Sequence, residues 1–473
     1  EVLMQSLKQN ITQMKKTIYL LLLASLAIVG CVATREVNIP WTDTWRFEKV
    51  PDSVLLSLPE LPMEVGDVDH VRLPGGEIAI DSAGNIPFFF DYVDSYRMVQ
   101  FDPIPTQRPS STIYPTFVAQ VGNKLLVTML VDYKDIHYNN GSQYSEKVNA
   151  FYDMNGKFLK FLGEHVIRYE SRMKPLITDI HYSHEARLSV NRFAKEICMT
   201  VNSHKSVYFD YDGNYLRTET YELGLNTPYV TPWHLSDNYK YIFNDEPTDE
   251  YIHRKKGFLI DEKNRLTKKV SMFTGIREIS QQICKDVIAQ RRESDTIWQI
   301  TPDKMIARYV YQRENPEKQY DNPFGIRLWL SQPYASLTDH YLISSMQYST
   351  NSRDSVLIHG NATQIYDRRT GRSIFFKTLS ESSRYTTLQA RTVDWHGSIC
   401  CELNNGELVL SYVHPSLHYP EPIAVLKKIL SYSLDKKINK NNQYIVNKRE
   451  EEFIRNLKLD GGPVLFFVKL KKF

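Results

Sequence analysis

The chain has 473 residues, of which 24% are charged and 12% aromatic, and it carries a formal net charge of +3. That composition excludes a disordered chain, and the near-neutral balance lacks the basic face that nucleic-acid binding requires, so no nucleic-acid partner is expected. Five cysteines are too few for a disulfide framework in a chain of this length and, with no Cys-x-x-Cys motif, they support neither a zinc site nor a redox pair.

From the start of the chain, residues 1–13 read as an upstream extension and Met14 as the expected first residue of the precursor. Lys15 and Lys16 lead into 14 apolar or small residues, 17–30, followed by Cys31. Crossing a bilayer takes roughly 20 apolar residues, so the run fits the core of an export signal instead. Its end, Leu26-Ala27-Ile28-Val29-Gly30-Cys31, resembles the lipobox cut by lipoprotein signal peptidase. That resemblance implies a diacylglycerol on the Cys31 sulfur and an acyl chain on its freed amine. An ordinary secretory peptide, or a buried helix ending in cysteine, is the alternative. Two such attachments exceed the two-signal threshold for stable anchoring, which makes the membrane the expected partner through the lipid on Cys31. Residues 1–30 hold three lysines and one glutamate, so the remaining 443 residues carry +1. Residues 31–50 read as a tether and 51–473 as the folded domain. Cys198, Cys284, Cys400 and Cys401 read as small buried hydrophobes.

A hairpin then recurs. Residues 148–162 hold two apolar-rich runs around Asn155-Gly156, a pair that supplies the positive φ angles of a tight turn. Residues 207–216 repeat it around Asp212-Gly213, 257–266 and 362–376 give further copies, and 77–88 a weaker one. Each has an aspartate before the turn: Asp81, Asp153, Asp210, Asp261 and Asp367. Asp side chains cap such bends by bonding their own backbone, so these aspartates are read as structural. A degenerate copy is expected near 307–312, and a final turn at Asn404-Asn405-Gly406. Hairpins at such spacing point to an all-β fold, a six-bladed β-propeller with seven blades also possible, in which packing the sheets in a ring covers apolar faces that one sheet leaves bare. A β-sandwich is the competing architecture. Short helices are expected over 274–293, where Ile276, Ile279, Ile283, Val287 and Ile288 have near-helical spacing, and over 422–434 and 448–459. Residues 463–470 read as a closing strand that completes a blade begun by the N-terminal part.

The Lys15-Lys16 to Cys31 signal, the Tyr/Phe-Asp-x-x-Gly-Lys/Arg hairpins at 152–157 and 366–372, and the terminal Gly462-Pro463-Val464-Leu465-Phe466-Phe467-Val468-Lys469-Leu470-Lys471 together resemble a group of Bacteroidetes lipoproteins with a six-bladed, TolB-like β-propeller domain. The resemblance implies a fold and a cell-envelope location, and offers no catalytic residues. Residues 55–115 depart from the hairpin pattern and leave the first blade unassigned. Val32-Ala33-Thr34-Arg35-Glu36 is not acid-rich, which favours the periplasmic face of the outer membrane and leaves surface exposure open.

No phosphate-binding loop, nucleophile elbow, zinc-helix motif or dinucleotide fingerprint is present. His181-x-x-His184-Glu185 does not make a metal site in a strand, where residues three apart face opposite ways, and no metal or cofactor is expected. Asp179-Ile180-His181-Tyr182-Ser183 and Asp394-Trp395-His396-Gly397-Ser398 share Asp-x-His-x-Ser, which puts each Asp and His on one strand face. With Trp233-His234 and Asp339-His340 they make a candidate ligand site at one propeller mouth: Asp179, His181, Trp233, His234, Asp339, His340, Asp394, Trp395 and His396. The competing reading is that these groups cap turns. Two functions follow: a non-enzymatic envelope protein that binds an envelope protein or glycan, or a propeller glycan hydrolase or lyase using Asp/His groups in the funnel.

Overall fold

The computed structural model describes residues 58–73, 92–105, 110–137, 143–162, 187–202, 205–220, 232–246, 254–261, 266–271, 276–280, 286–291, 294–313, 327–330, 334–351, 357–378, 399–411, 452–453, 455–458 and 461–473. The chain divides into two compact units, and all described residues fall in one of them, Thr42–Gly163 with Leu176–Phe473.

Among the described residues are two N-terminal strands, β1 (Met63–Leu73) and β2 (Val93–Gln100), and then six successive sheets. Blade 1 holds β3 (Ser110–Val121), β4 (Lys124–His137), β5 (Gln143–Tyr152) and β6 (Phe158–Phe161). Blade 2 holds β7 (Arg187–Asn191), β8 (Glu196–Asn202), β9 (Lys205–Asp210) and β10 (Tyr215–Thr220). Blade 3 holds β11 (Pro232–His234), β12 (Tyr239–Glu246), β13 (Arg254–Asp261) and β14 (Leu266–Ser271). Blade 4 holds β15 (Ile276–Ser280), β16 (Ile288–Arg291), β17 (Thr296–Ile300) and β18 (Met305–Arg313), and β1 lies parallel against β18 as a fifth strand. Blade 5 holds β19 (Arg327–Leu330), β20 (Tyr334–Leu337), β21 (Tyr341–Asn351), β22 (Leu357–Asp367) and β23 (Arg372–Thr378), with β19 and β20 each pairing one half of β21. Blade 6 is composite. β24 (Ile399–Glu402), β25 (Leu408–Ser411) and β26 (Val464–Leu470) come from the C-terminal side, and β2 pairs antiparallel with β26 from Gln100↔Val464 to Val93↔Leu470. The expected closing strand is therefore β26, and the fold is a six-bladed β-propeller.

The ring is held by strands buried on both faces. Along β26, Val464, Phe466 and Val468 pack with Tyr341, Ile343, Ile365 and Ile374 of blade 5. The alternate residues Leu465 and Phe467 pack with Val118, Leu125, Val127 and Tyr152 of blade 1. Successive side chains of a strand point to opposite faces, so this continuous apolar run serves two seams at once. Blade 5 shows the same alternation: Tyr341, Ile365 and Ile374 face blade 6, whereas Leu342, Tyr366 and Phe375 join Tyr309 and Tyr311 of blade 4. Val287, Ala289, Ile300 and Met305 of blade 4 meet Tyr241, Phe243 and Leu259 of blade 3. Blade 2 is joined on one side by a buried Thr128–Asn149–Met199 chain of hydrogen bonds to blade 1. On its other side the ion pair of Glu219 with Lys240 ties it to blade 3.

Three of the recurring aspartates, Asp153, Asp210 and Asp367, stand at the ends of third strands and cap the turns that follow. Asp153 Oδ1 accepts from the N–H groups of Asn155 (2.8 Å) and Lys157 (2.9 Å). Asp210 Oδ1 accepts from Asp212 (2.9 Å) and Asn214 (2.8 Å), and Asp367 Oδ1 from Arg369 (2.8 Å). Blade 4 replaces the aspartate with Thr301, whose Oγ1 accepts from Lys304 at 3.1 Å, so the degenerate copy has its turn at 301–304, just ahead of β18. The turn glycine also sets blade spacing. Gly213 has φ +76°, and a Cβ there would lie 2.7 Å from the Phe151 ring of blade 1.

One expectation is overturned. Residues 274–293 contain β15 and β16, not a helix. Val287, Ile288, Ala289 and Gln290 are all buried; a strand buried on both faces need not alternate, and its apolar residues, read on from Ile276 and Ile279, imitate a helical stripe. Over 448–459, residues 452–453 and 455–456 are helical, while 77–88 and 422–434 lie outside the described residues. Cys198 and Cys401 are buried and in no disulfide.

Gly213→Ala is expected to lower unfolding free energy by about 1–3 kcal/mol, from the combined left-handed strain and Phe151 clash. Leu216→Ala in the same hairpin, where Leu216 is 44% exposed, is expected to stay within about 0.5 kcal/mol of the parent. Urea midpoints measure both.

Candidate functional site

Antiparallel neighbours reverse direction at each step, so the turns between first and second strands and those between third and fourth strands lie at one end of the ring. The described candidates Asp339 and His340 form the β20–β21 turn at that end. Four blades meet there. The backbone N–H of His340 donates to Glu402 Oε2 of blade 6 at 3.0 Å, and its ring Nδ1 bonds Glu402 Oε1. Glu402 is 3% exposed. Asp339 Oδ2 is ion-paired with the Arg192 guanidinium in the β7–β8 turn of blade 2. Arg368, in the β22–β23 turn, donates to the carbonyls of Thr338 (2.9 Å) and Asp339 (3.0 Å) and pairs with Asp286 of blade 4 at 3.5 Å.

Other contacts at this end join successive blades. The Asn404 N–H donates to Gln120 Oε1 at 2.8 Å, between blades 6 and 1. Arg97 of β2 donates to the Met154 carbonyl at 2.9 Å and lies 3.8 Å over the Phe467 ring. Lys160 of β6 bonds the Asp212 carbonyl, and Lys124 pairs with the Asp212 carboxylate at 2.6 Å. Lys268 of β14 reaches the Asp303 carbonyl at 3.4 Å. A cation on an outer strand thus grips the next blade's turn at three seams.

The other described candidates, Trp233 and His234, do not converge. They are neighbours in β11, so they face opposite sides of blade 3. Trp233 packs against the core shared with blade 4. His234 is buried at the seam with blade 2, edge-on to Tyr208 with ring centroids 6.2 Å apart. Beside it, Arg217 makes a bidentate pair with Glu196 (2.7 and 3.0 Å) and also donates from Nε to Glu219 at 3.0 Å. Lys240 donates to the second oxygen of Glu219 at 2.6 Å, and Arg217 lies 4.1 Å over the Tyr208 ring. Glu219 is fully buried. Burial pushes its carboxyl up, but Lys240 and Arg217 outweigh burial and hold it below the ordinary glutamate value. Burial, and next Lys240, push the His234 imidazole down to about 3. His234 is therefore a neutral seam residue, not a proton carrier at neutral pH. Burial likewise pushes the Cys198 thiol up to about 12, so it is no nucleophile.

Asp179, His181, Asp394, Trp395, His396 and the lipidation candidate Cys31 lie outside the described residues. The residues that sequence reasoning missed here are Arg192, Arg217, Glu219, Lys240, Arg368 and Glu402. A signal for Arg217 existed: a cation stands seven positions after the residue that opens the turn in blades 1 to 4, as Lys160, Arg217, Lys268 and Arg308 follow Asp153, Asp210, Asp261 and Thr301.

No family model and no curated protein matches the chain. Among solved structures, a Bacteroides fragilis protein described as exported is similar over 86% of this chain and 100% of its own, at 12% identity and a TM-score of 0.46. A family 117 glycoside hydrolase from Zobellia galactanivorans is similar over 56% of this chain and 89% of its own, at 8% identity and a TM-score of 0.28. At these scores the likenesses carry nothing about function.

Acid is expected to weaken the blade 2–3 seam. Unfolded histidine takes a proton near pH ~6.5, whereas folded His234 resists it down to about 3, so stability declines as pH falls below ~6.5. The depressed Glu219 acts in the same direction, its contribution present above the ordinary glutamate value near ~4.3 and lost below it. His234→Gln is expected to remove up to about 1.4 kcal/mol per pH unit from the slope between pH ~6 and ~4 in urea titrations. A slope unchanged by the substitution would contradict this. At pH ~7, Glu219→Gln is expected to cost about 3 kcal/mol, because it leaves the buried Lys240 without its carboxylate while the part-exposed Arg217 keeps Glu196.

Proposed function

We propose that this protein is a membrane-anchored cell-envelope lipoprotein whose propeller binds an envelope protein or glycan without chemical turnover. One observation carries the non-enzymatic half. Asp339 and His340, the described Asp/His candidates of the propeller mouth, are committed to ion pairs and hydrogen bonds with blades 2 and 6. A general acid or base must be able to reach a substrate proton; Arg192 takes the Asp339 carboxylate and Glu402 takes the His340 backbone N–H and ring Nδ1, which supports a role in ring geometry. The anchoring half rests on Lys15-Lys16, the short apolar run and Cys31. The residues after Cys31 favour the inner face of an outer membrane.

The reading is tested in two arms. In cells given labelled palmitate, the parent chain is expected to incorporate label and partition with detergent. Cys31→Ser is expected to lose both properties, and an unlabelled, water-soluble parent would overturn the anchor. The purified Cys31→Ser protein, incubated with envelope polysaccharides and peptidoglycan fragments, is expected to retain one glycan class or none, and to release no product visible by mass spectrometry. Time-dependent product from this protein would instead support a hydrolase or lyase.

A further inference from the structure

Blade 2 meets blade 1 through the Thr128–Asn149–Met199 chain and blade 3 through Glu219–Lys240. Blade 5 meets blade 4 and blade 6 through apolar cores. Blades 2 and 5 therefore stand opposite one another in the ring of six, and a side-chain bond between them has to pass across its centre. Arg192 and Asp339 make that bond. We infer that they form a strap closing the turn end of the propeller axis. A ligand using the axis then enters from the opposite end, where second strands finish and third strands begin.

The two turns are built to hold such a strap. Asn191 Oδ1 accepts from the N–H groups of Phe193 (3.1 Å) and Ala194 (3.2 Å), fixing the loop that carries Arg192. That loop ends at Lys195, the one described non-glycine residue with positive φ, at 55°. On the far side, Arg368 and Glu402 hold the Asp339-His340 backbone from two directions. The Arg192 side chain is only 16% exposed, against 48% for Asp339, so the bond is partly shielded from solvent. A shielded pair between rigid turns loses little side-chain entropy on forming, unlike an ordinary surface pair.

The strap makes a non-local claim that hydrogen–deuterium exchange reads directly on the full chain. In Asp339→Asn, amides of 192–196 on the opposite blade are expected to exchange about two- to fivefold faster. In Arg192→Ala, amides of 338–341 are expected to do the same. The charge-swapped pair, Arg192→Asp with Asp339→Arg, is expected to recover part of the protection. Arg369→Ala, which removes pairs confined to blade 5, is expected to leave 192–196 unchanged. Exchange that rises only in the substituted turn, or swapped charges that recover nothing, would overturn the strap. This outcome is independent of whether the propeller binds a ligand, since no ligand enters the measurement.

Discussion

Everything in this fold depends on sheets that are apolar on both faces. Such a sheet is stable only between two others, so no blade stands alone and the series has to close on itself. The strand that closes it is β26. Val464, Leu465, Phe466, Phe467 and Val468 are all buried, and at about 2 kcal/mol each their transfer from water is on the order of 10 kcal/mol, comparable to the whole net stability of a typical domain. The sixth blade borrows β2 from the other end of the chain, and Gln100 at the end of that strand clamps the Lys458 backbone through both its amide oxygen and its amide nitrogen.

Polar contacts set the register of a ring that apolar burial drives together. Apolar contact is nearly indifferent to a small slide of one blade on the next, whereas a carbonyl accepting from one lysine is not. Lys160, Lys268 and Arg97 reach the next blade's turn from an outer strand. Arg217 sits at the equivalent position but turns inward to two glutamates. Its seam exchanges a turn clasp for a buried ion network, which links blade 2 to blade 3 at the expense of tolerance to acid.

Much of the fold was legible because the turns are chemically strict. An aspartate that accepts two backbone N–H groups, followed by a glycine, leaves a signature that survives blade divergence; Asp153, Asp210 and Asp367 carry it. The terminal apolar run 463–470 was legible as a closing strand for the same reason that it closes: Val464 to Val468 are buried on both faces. The 274–293 segment was misread because two strands without polar alternation resemble one amphipathic helix. The fifth strand β1 has no local mark at all, since Glu64, Asp67 and Asp69 make it look like a polar connector, and only its pairing with β18 defines it. The candidate site was legible in part. Asp339 and His340 were singled out by type, but their partners Arg192, Glu402 and Arg368 are distant in sequence and carry no motif. Trp233 and His234 seemed a pair because they are adjacent, and in a strand adjacency separates them.

The joining of β2 to β26 also fixes an order of events. Residues 464–470 are synthesised after every other described strand, and until they arrive blade 1 and blade 5 each keep an uncovered flank. Pairing partners this far apart along the chain make for slow ring closure. A nascent chain is thereby kept from locking early. The same delay leaves it open to aggregation and proteolysis, so the open ring has to be sheltered for the time that closure takes.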